Sequence, residues 1–219
     1  TDLVGQLELL RQLGDREAFA LIEEHFALLR AQIEGRPAGG LAVGGERTCG
    51  AVVRCDRDGV VAAYADAVMA AWAAVELQGA FAKLHARHGL AAASDASASM
   101  ATAPVLAGAG AGAAAAPFSA TLGLRVGVYG GSAQLVTPQG SHVLDYFGKT
   151  AGVCSRLLRE AHAGDVVLPA ELADQLTARL QAARDGGVDA VPTLRVGPRF
   201  ALSIRGVDAP VSVVRVQVD

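Results

Sequence analysis

The fold of this chain is decided by one stretch, residues 142–158, which read HVLDYFGKTAGVCSRLL. Its first residues are typical of the end of a strand, and Phe147 with Gly148 indicates a turn. The residues after Gly148 predict a helix, with Arg156 two turns from its start. A polar strand end, a tight turn and a helix that carries a cation are therefore expected in direct succession.

Four further segments share one property with that stretch, because each couples a strand-like run to a glycine turn or a charged residue. They read TDLVG (1–5), DGVVAAY (58–64), LGLRVGVYGG (122–131) and RGVDAPV (205–211). Each segment alone is a weak signal, since Asp-Gly turns and Gly-x-Gly strands are common. Together, and in this order, the five segments resemble the motifs of the class III nucleotidyl cyclases, the family of adenylate and guanylate cyclases. One position departs from the family pattern, because Gly152 stands where the family has Asn.

The resemblance implies an α+β fold, a ferredoxin-like class III cyclase domain that spans residues 1–219. Its sheet is expected to be mostly antiparallel and covered by helices on one face. In the family, a strand precedes the first metal-binding Asp, whereas only Thr1 precedes Asp2 here. Two alternatives stay open at this point: the first strand is missing, or the numbering starts inside a longer protein.

Apolar periodicity and turn residues predict the remaining elements. Helices are expected from Asp15, as N-cap, to about Glu34, from a cap at Asp66 to Gly89, and over 169–184. Strands are expected over 49–55 and 60–64 around an Asp-Gly hairpin turn, near 122–129, 133–137 and 166–168, and in a closing hairpin of 194–204 with 211–218.

Composition narrows the function classes. A length of 219 residues suits one domain, and a formal net charge of -3 gives no electrostatic case for a nucleic-acid partner. No apolar run reaches the roughly 20 residues of a membrane span. Three cysteines without close spacing indicate neither disulfides nor zinc, which favours a reducing, cytoplasmic location. Residues 91–120 are rich in Ala, Gly and Ser, which predicts a flexible insert within the domain.

The resemblance assigns two magnesium or manganese ions to the chain. Asp2 and Asp58 match the family's two metal-binding aspartates, and the Leu3 carbonyl matches its backbone ligand. Carboxylate and carbonyl oxygens are the ligands that these hard cations prefer. An Asp at position 58 is also compatible with a simple role as a turn former.

Two residues match the family positions that select the base. Arg54 stands where an adenylate cyclase has Lys, and Asp145 is its partner. Asp145 can accept a hydrogen bond from the adenine amino group, so ATP is favoured over GTP. Arg is forked and bulkier than Lys, so Arg54 is also compatible with an ion pair to Asp145 that closes the pocket, or with a solvated strand residue.

The remaining site residues are cations. Arg156 matches the Arg that stabilises charge on the α-phosphate in the transition state, and Arg205 matches a late Lys that contacts phosphate; both are also compatible with solvent-facing positions. Gly152 offers no side-chain donor to the ribose. The five histidines show no ligand spacing and are interpreted as surface or packing residues.

The implied reaction is conversion of ATP to cyclic AMP and pyrophosphate at the interface of a homodimer. In the family, one subunit supplies the metals and its partner supplies the base pocket and the Arg. The alternative is a degenerate cyclase-homology domain that binds nucleotide weakly or only dimerises. Gly152, Arg54, Arg57 and Tyr129 favour that alternative, whereas the aspartates and Arg156 favour the enzyme.

Overall fold

The structure is a computed structural model that describes residues 1–35, 50–56, 58–92, 121–137, 145–188 and 191–219. Five helices lie in these residues: Gln6–Leu13 (α1), Asp15–Ile33 (α2), Ala67–Arg87 (α3), Lys149–Arg159 (α4) and Ala170–Asp185 (α5). The strands are Asp2–Val4 (β1), Ala51–Cys55 (β2), Val60–Ala63 (β3), Ala91–Ala92 (β4), Thr121–Gly127 (β5), Gln134–Val136 (β6), Asp145–Phe147 (β7), Val166–Pro169 (β8), Leu194–Val196 (β9), Phe200–Leu202 (β10) and Val211–Val218 (β11).

The main sheet has seven strands in the order β1-β5-β8-β11-β10, with β4 also paired to β5 and β9 also paired to β11. Only the β5–β8 and β4–β5 pairs are parallel among these strands, and the others are antiparallel. Two hairpins, β2–β3 and β6–β7, are separate from this ladder. The predicted class, an α+β fold with a mostly antiparallel sheet, is confirmed.

The strand that carries Asp2 is present, although it is short. It pairs antiparallel with β5, so that Asp2 lies opposite Arg125 and Leu3 lies opposite Leu124. Leu3 is buried with only 5% of its surface exposed. This packing holds the strand in the sheet and places Asp2 at its edge, beside the turn of the β2–β3 hairpin.

That turn packs closely against β1. The Leu3 amide donates to the Asp58 carbonyl at 2.6 Å, and the Val60 amide donates to the Thr1 hydroxyl at 3.1 Å. A Cβ added at Gly59 would lie 2.1 Å from the Thr1 carbonyl oxygen. Only glycine permits this approach, and the approach is what brings the backbone of Asp58 next to that of Leu3.

Helices cover both faces of the sheet, so the prediction of one covered face is wrong. Along β8, Val166 and Leu168 belong to the larger core, whereas Val167 belongs to a smaller core with Val153 and Leu157 of α4. Neighbouring strand residues point to opposite faces, so α4 packs on the face opposite the main core.

The contact between α4 and the sheet is close because of Gly127. A Cβ added there would lie 2.7 Å from the Leu158 amide nitrogen and 2.9 Å from the Cys154 carbonyl oxygen. The backbone of α4 therefore rests directly on β5. This seats the helix that carries Arg156 against the strand that carries Arg125.

The predicted helices and turns are largely confirmed. The α2 bounds agree with the prediction, but its N-cap is Gly14 rather than Asp15, which lies in the first turn. Asp66 caps α3 by accepting from the Met69 amide at 2.8 Å. Among the described residues, no helix combines the length and apolar character that crossing a membrane requires.

Some predictions fall outside the described residues. Within the predicted insert 91–120, Ala91–Ala92 form β4, and residues 93–120 lie outside the described part of the chain. The next strand, β5, begins at Thr121. Cys49, Arg57 and His142 also lie outside.

Candidate functional site

An open cleft of about 1260 Å³ lies where β1, the β2–β3 hairpin, the end of β5 and the start of α4 meet. Four of the predicted site residues line it, namely Asp2, Arg54, Asp58 and Asp145. Arg156 and Arg205 are not among the described residues that line it. The structure thus brings Asp2, Asp58 and the two base candidates into a single cleft, whereas Leu3 and the two phosphate candidates are not among its lining residues.

Asp2 is held by a cation from the neighbouring strand. The Arg125 Nε donates to the Asp2 Oδ2 at 2.6 Å, and Arg125 Nη2 contacts the same oxygen. The Asp2 side chain is 15% exposed and that of Arg125 is 32% exposed. In this arrangement the guanidinium is the counter-ion of the carboxylate, so an ion that binds Asp2 Oδ2 has to compete with Arg125.

Asp58 differs from Asp2 because its side chain is exposed. Its backbone accepts the Leu3 amide, as described above. The N–H and C=O of one strand residue lie on the same side of the strand, so the Leu3 carbonyl faces the side of β1 that carries Asp58. Both aspartates line the cleft, and the Leu3 carbonyl lies on the side of β1 that faces the Asp58 backbone.

This donor set fits a hard divalent cation in its chemistry, because all three ligands are oxygens. It does not form a dense acidic cluster: within the described ranges, no three His, Cys, Asp or Glu side chains are grouped for a metal. Such a site leaves most coordination positions to water and to phosphate oxygens, which is the usual arrangement for magnesium.

Arg54 forms an ion pair with Asp145, which is one of the alternatives that the sequence left open. Its Nη1 donates to Asp145 Oδ2 at 2.5 Å, and its Nε donates to Asp56 Oδ2 at 2.9 Å. The other Asp145 oxygen accepts from the Tyr146 amide at 2.8 Å. Partial burial lowers the pKa of the Arg54 guanidinium, but Asp56 and Asp145 outweigh it, so the pKa is raised and the side chain stays charged.

Arg156 and Arg205, the two phosphate candidates, lie on the surface outside the cleft. Arg156 is exposed on α4, and Arg205 is exposed in the turn between β10 and β11, where Gly206 has a φ of 86°. Neither side chain makes an ion pair or hydrogen bond with any residue that the structure describes. Both are available to a ligand or to a second copy of the chain.

Gly152 lies on the exposed side of α4, and an added Cβ would meet nothing within 4 Å. Crowding therefore does not explain the glycine. A Cβ fits at this exposed position without displacing a neighbour.

Two residues of this site do not follow from the motifs. Asp56 was recognisable in principle, because it stands two positions after Arg54, on the same face of the strand end, with the opposite charge. Arg125 was recognisable only with the register of β1 against β5, which no local pattern supplies.

Comparison with known proteins gives a structural match and no sequence match. No protein-family profile matches the chain, and no curated protein matches it. Among solved structures, the adenylyl cyclase CyaB from P. aeruginosa is similar with a TM-score of 0.59 at 17% identity, covering 98% of this chain and 89% of that one. The guanylyl cyclase Cya2 is similar with a TM-score of 0.59 at 15% identity, covering 100% and 89%.

A third similar structure comes from the adenylate cyclases of Trypanosoma brucei in their monomeric state. Its TM-score is 0.58 at 17% identity, and the match covers 98% of this chain and 84% of that one. The chain therefore has the fold of the class III nucleotidyl cyclase domains, over nearly its whole length. At identities of 15–18%, these likenesses establish the fold and leave the activity to be argued from the site.

Proposed function

We propose that the chain is a nucleotidyl cyclase domain that converts ATP to 3′,5′-cyclic AMP and pyrophosphate. One observation supports the proposal: the Leu3–Asp58 hydrogen bond joins the two backbone segments that carry the three metal candidates, in a chain with the cyclase fold. The domain is expected to act in the cytoplasm as a homodimer.

The proposed metal ligands are Asp2, Asp58 and the Leu3 carbonyl. Two magnesium or manganese ions held there would supply Lewis-acid activation of the ribose 3′-hydroxyl and neutralisation of the triphosphate. The chain's own contribution is to align the carboxylates by the tight packing of Gly59 on β1. Asp2 takes part only after it is released from Arg125.

Base recognition is assigned to Asp145 and Arg54. Asp145 accepts a hydrogen bond from the exocyclic amino group of adenine, and Arg54 donates to a ring nitrogen. Both groups lie on the same wall of the cleft, already within hydrogen-bonding distance of each other. ATP is the proposed substrate, and the solved structures with this fold include both adenylyl and guanylyl cyclases.

Arg156 is proposed to stabilise charge on the α-phosphate while the 3′-oxygen attacks phosphorus and pyrophosphate leaves. A guanidinium suits this task because it is always charged and its fork matches phosphate oxygens. Arg205 is proposed to contact the leaving phosphates. The position of both side chains outside the cleft of their own subunit supports a site that is completed by a second copy.

A regulatory module with the cyclase fold is the second candidate. Three observations favour it. Gly152 supplies no ribose donor, the Asp2 carboxylate is ion-paired with Arg125, and the Asp145 carboxylate is ion-paired with Arg54. Such a module would dimerise or bind nucleotide without turnover.

A cyclase assay with ATP and with GTP in Mn²⁺ separates the two candidates. We expect cyclic AMP from the unmutated chain and none from Arg156→Ala or Asp58→Asn. Asp174→Asn is the matched control, since it removes an exposed carboxylate that pairs with Arg199 and does not line the cleft. Absence of any cyclic nucleotide from the unmutated chain would favour the regulatory module, and equal use of GTP would refute the assignment of Asp145.

A further inference from the structure

Three charged side chains form a continuous bridge along one wall of the cleft. Asp56 and Asp145 each accept a hydrogen bond from Arg54, through Nε and Nη1 respectively. Arg54 and Asp56 belong to the β2–β3 hairpin and its turn, whereas Asp145 opens β7. The bridge therefore joins two hairpins that have no ladder hydrogen bonds to each other.

The bridge engages the two side chains that would bind a base. Asp145 has one oxygen on Arg54 and the other on the Tyr146 amide. Arg54 has its Nε and Nη1 on carboxylates. A base that takes the place of Arg54 on Asp145 Oδ2 has to open the Arg54–Asp145 half of the bridge.

The hydrogen bond between Arg54 and Asp56 does not have to break when a base binds. Asp56 accepts from Nε, close to the stem of the Arg54 side chain, and it lies two residues away on the same chain segment. Arg54 can leave Asp145 while it keeps this contact. The guanidinium is then still oriented by one carboxylate, and its remaining N–H groups are available to the base.

We infer that Asp56 is a positioning residue for base recognition, and that the Asp56–Arg54–Asp145 bridge closes the base pocket until a nucleotide displaces Asp145 from Arg54. This inference rests on the proposed function, because it assumes that the cleft takes a nucleotide. Asp56 acts through Arg54 and does not touch the base. Its loss leaves the closed state intact, since Asp145 still holds Arg54 there, but disorders Arg54 in the open state.

Binding of a fluorescent ATP analogue to the full chain tests the role of Asp56. Asp56→Asn is expected to raise Kd about fivefold, the size of one half-exposed ion pair. In an Arg54→Gln background, the same Asp56→Asn change should not raise Kd. The double variant also controls for net charge. A long-range effect of the lost carboxylate on Kd would appear equally with and without Arg54, whereas an effect that acts through Arg54 would not.

The bridge itself is tested without nucleotide, by thermal unfolding. Arg54→Gln should lower Tm by about 2 °C, and should have a smaller effect in an Asp145→Asn background. Additive effects of the two changes would mean that the bridge does not form, and would overturn the inference whatever the nucleotide data show. Asp174→Asn again serves as the control for an exposed ion pair.

The outcomes also separate this inference from the proposed function. Nucleotide binding that is insensitive to Asp56→Asn, or equally sensitive with and without Arg54, overturns the role of Asp56 and leaves the cyclase proposal standing. Tighter binding by Arg54→Gln than by the unmutated chain would overturn the role of Asp56, because Arg54 would then obstruct the base and would not bind it. Binding by none of the variants refutes the proposed function, and the inference with it.

Discussion

Arg125 lies directly opposite Asp2 across the β1–β5 pair and donates its Nε to the Asp2 carboxylate at 2.6 Å. This contact links the stability of the sheet edge to the proposed metal site. The carboxylate is mostly buried, so it needs a positive partner, and in this structure the partner is a side chain. A metal ion at Asp2 would replace one positive partner by another.

The first prediction follows from that exchange. Arg125→Gln should destabilise the fold by about 1–3 kcal/mol at pH 7, because a mostly buried carboxylate loses its charged hydrogen-bond donor. The same change should tighten Mn²⁺ binding, by about tenfold if the competing ion pair is worth 1.4 kcal/mol. Added Mn²⁺ should therefore raise the Tm of the variant more than that of the unmutated chain.

Calorimetric unfolding with and without Mn²⁺ measures both effects. Arg199→Gln is the control, because Arg199 forms an exposed ion pair with Asp174 outside the cleft. Weaker Mn²⁺ binding by Arg125→Gln would mean that Arg125 assists the metal site and does not compete with it.

The second prediction concerns Gly152. Gly152→Ala should stabilise the domain by up to about 1 kcal/mol, since glycine is a poor helix former and the added Cβ has open space. Gly152→Asn should stabilise it less, but should also raise turnover by supplying a ribose donor. Removal of one oriented donor in other active sites costs on the order of 10²–10³ in rate.

Gly79 offers a matched control in α3, where an added Cβ also meets nothing within 4 Å. Gly79→Ala should stabilise the fold without changing turnover. A rate gain from Gly152→Ala as large as that from Gly152→Asn would show that helix stability, and not the donor, limits the reaction.

The third prediction concerns a buried pair of histidines between α2 and α3. His25 Nδ1 donates to the Leu21 carbonyl at 2.5 Å, and the His25 and His85 Nε2 atoms are 3.1 Å apart. Burial lowers the pKa of His25, and it lowers the pKa of His85 to about 4, where the positive charges of His25 and His88 add to the effect. These two histidines are packing residues, as the sequence indicated.

Because the folded pKa values lie below the ordinary value of about 6.5, the unfolded chain binds protons that the folded chain does not. The free energy of unfolding should therefore fall as pH drops from about 6.5 towards 4, by on the order of 3 kcal/mol from His85. The free energy of unfolding, measured with urea at a series of pH values, should depend less steeply on pH for His85→Gln, because the amide does not titrate. An unchanged slope would mean that other groups cause the pH dependence.

Local sequence signals were sufficient for four of the five helices in the described residues and for most strands. The α2 periodicity, the Asp66 cap and the Gly59 turn depend on residues close in the chain, so their prediction needed no tertiary information. The position of α4 on the second face was missed, because it depends on the close contact at Gly127, between segments distant in sequence.

In the site, too, some features depend on residues close in the chain and others on contacts between distant segments. Arg54 and Asp145 were predicted as partners from motifs, but which alternative Arg54 adopts depends on how the β2–β3 and β6–β7 hairpins approach each other. The Asp2–Arg125 pair is 123 residues apart in sequence and was not predicted.

The central claim is a cyclase site shared between two copies of the chain, and mixing two inactive variants tests it most directly. Asp58→Asn removes a metal ligand and Arg156→Ala removes the phosphate cation, so each homodimer should be inactive. In an equimolar mixture that exchanges subunits, half of the dimers are mixed and each has one intact site, so about a quarter of the unmutated activity should return. We predict this recovery of cyclic AMP synthesis from ATP in Mn²⁺; a mixture that stays inactive, while the unmutated chain is active, would contradict the account.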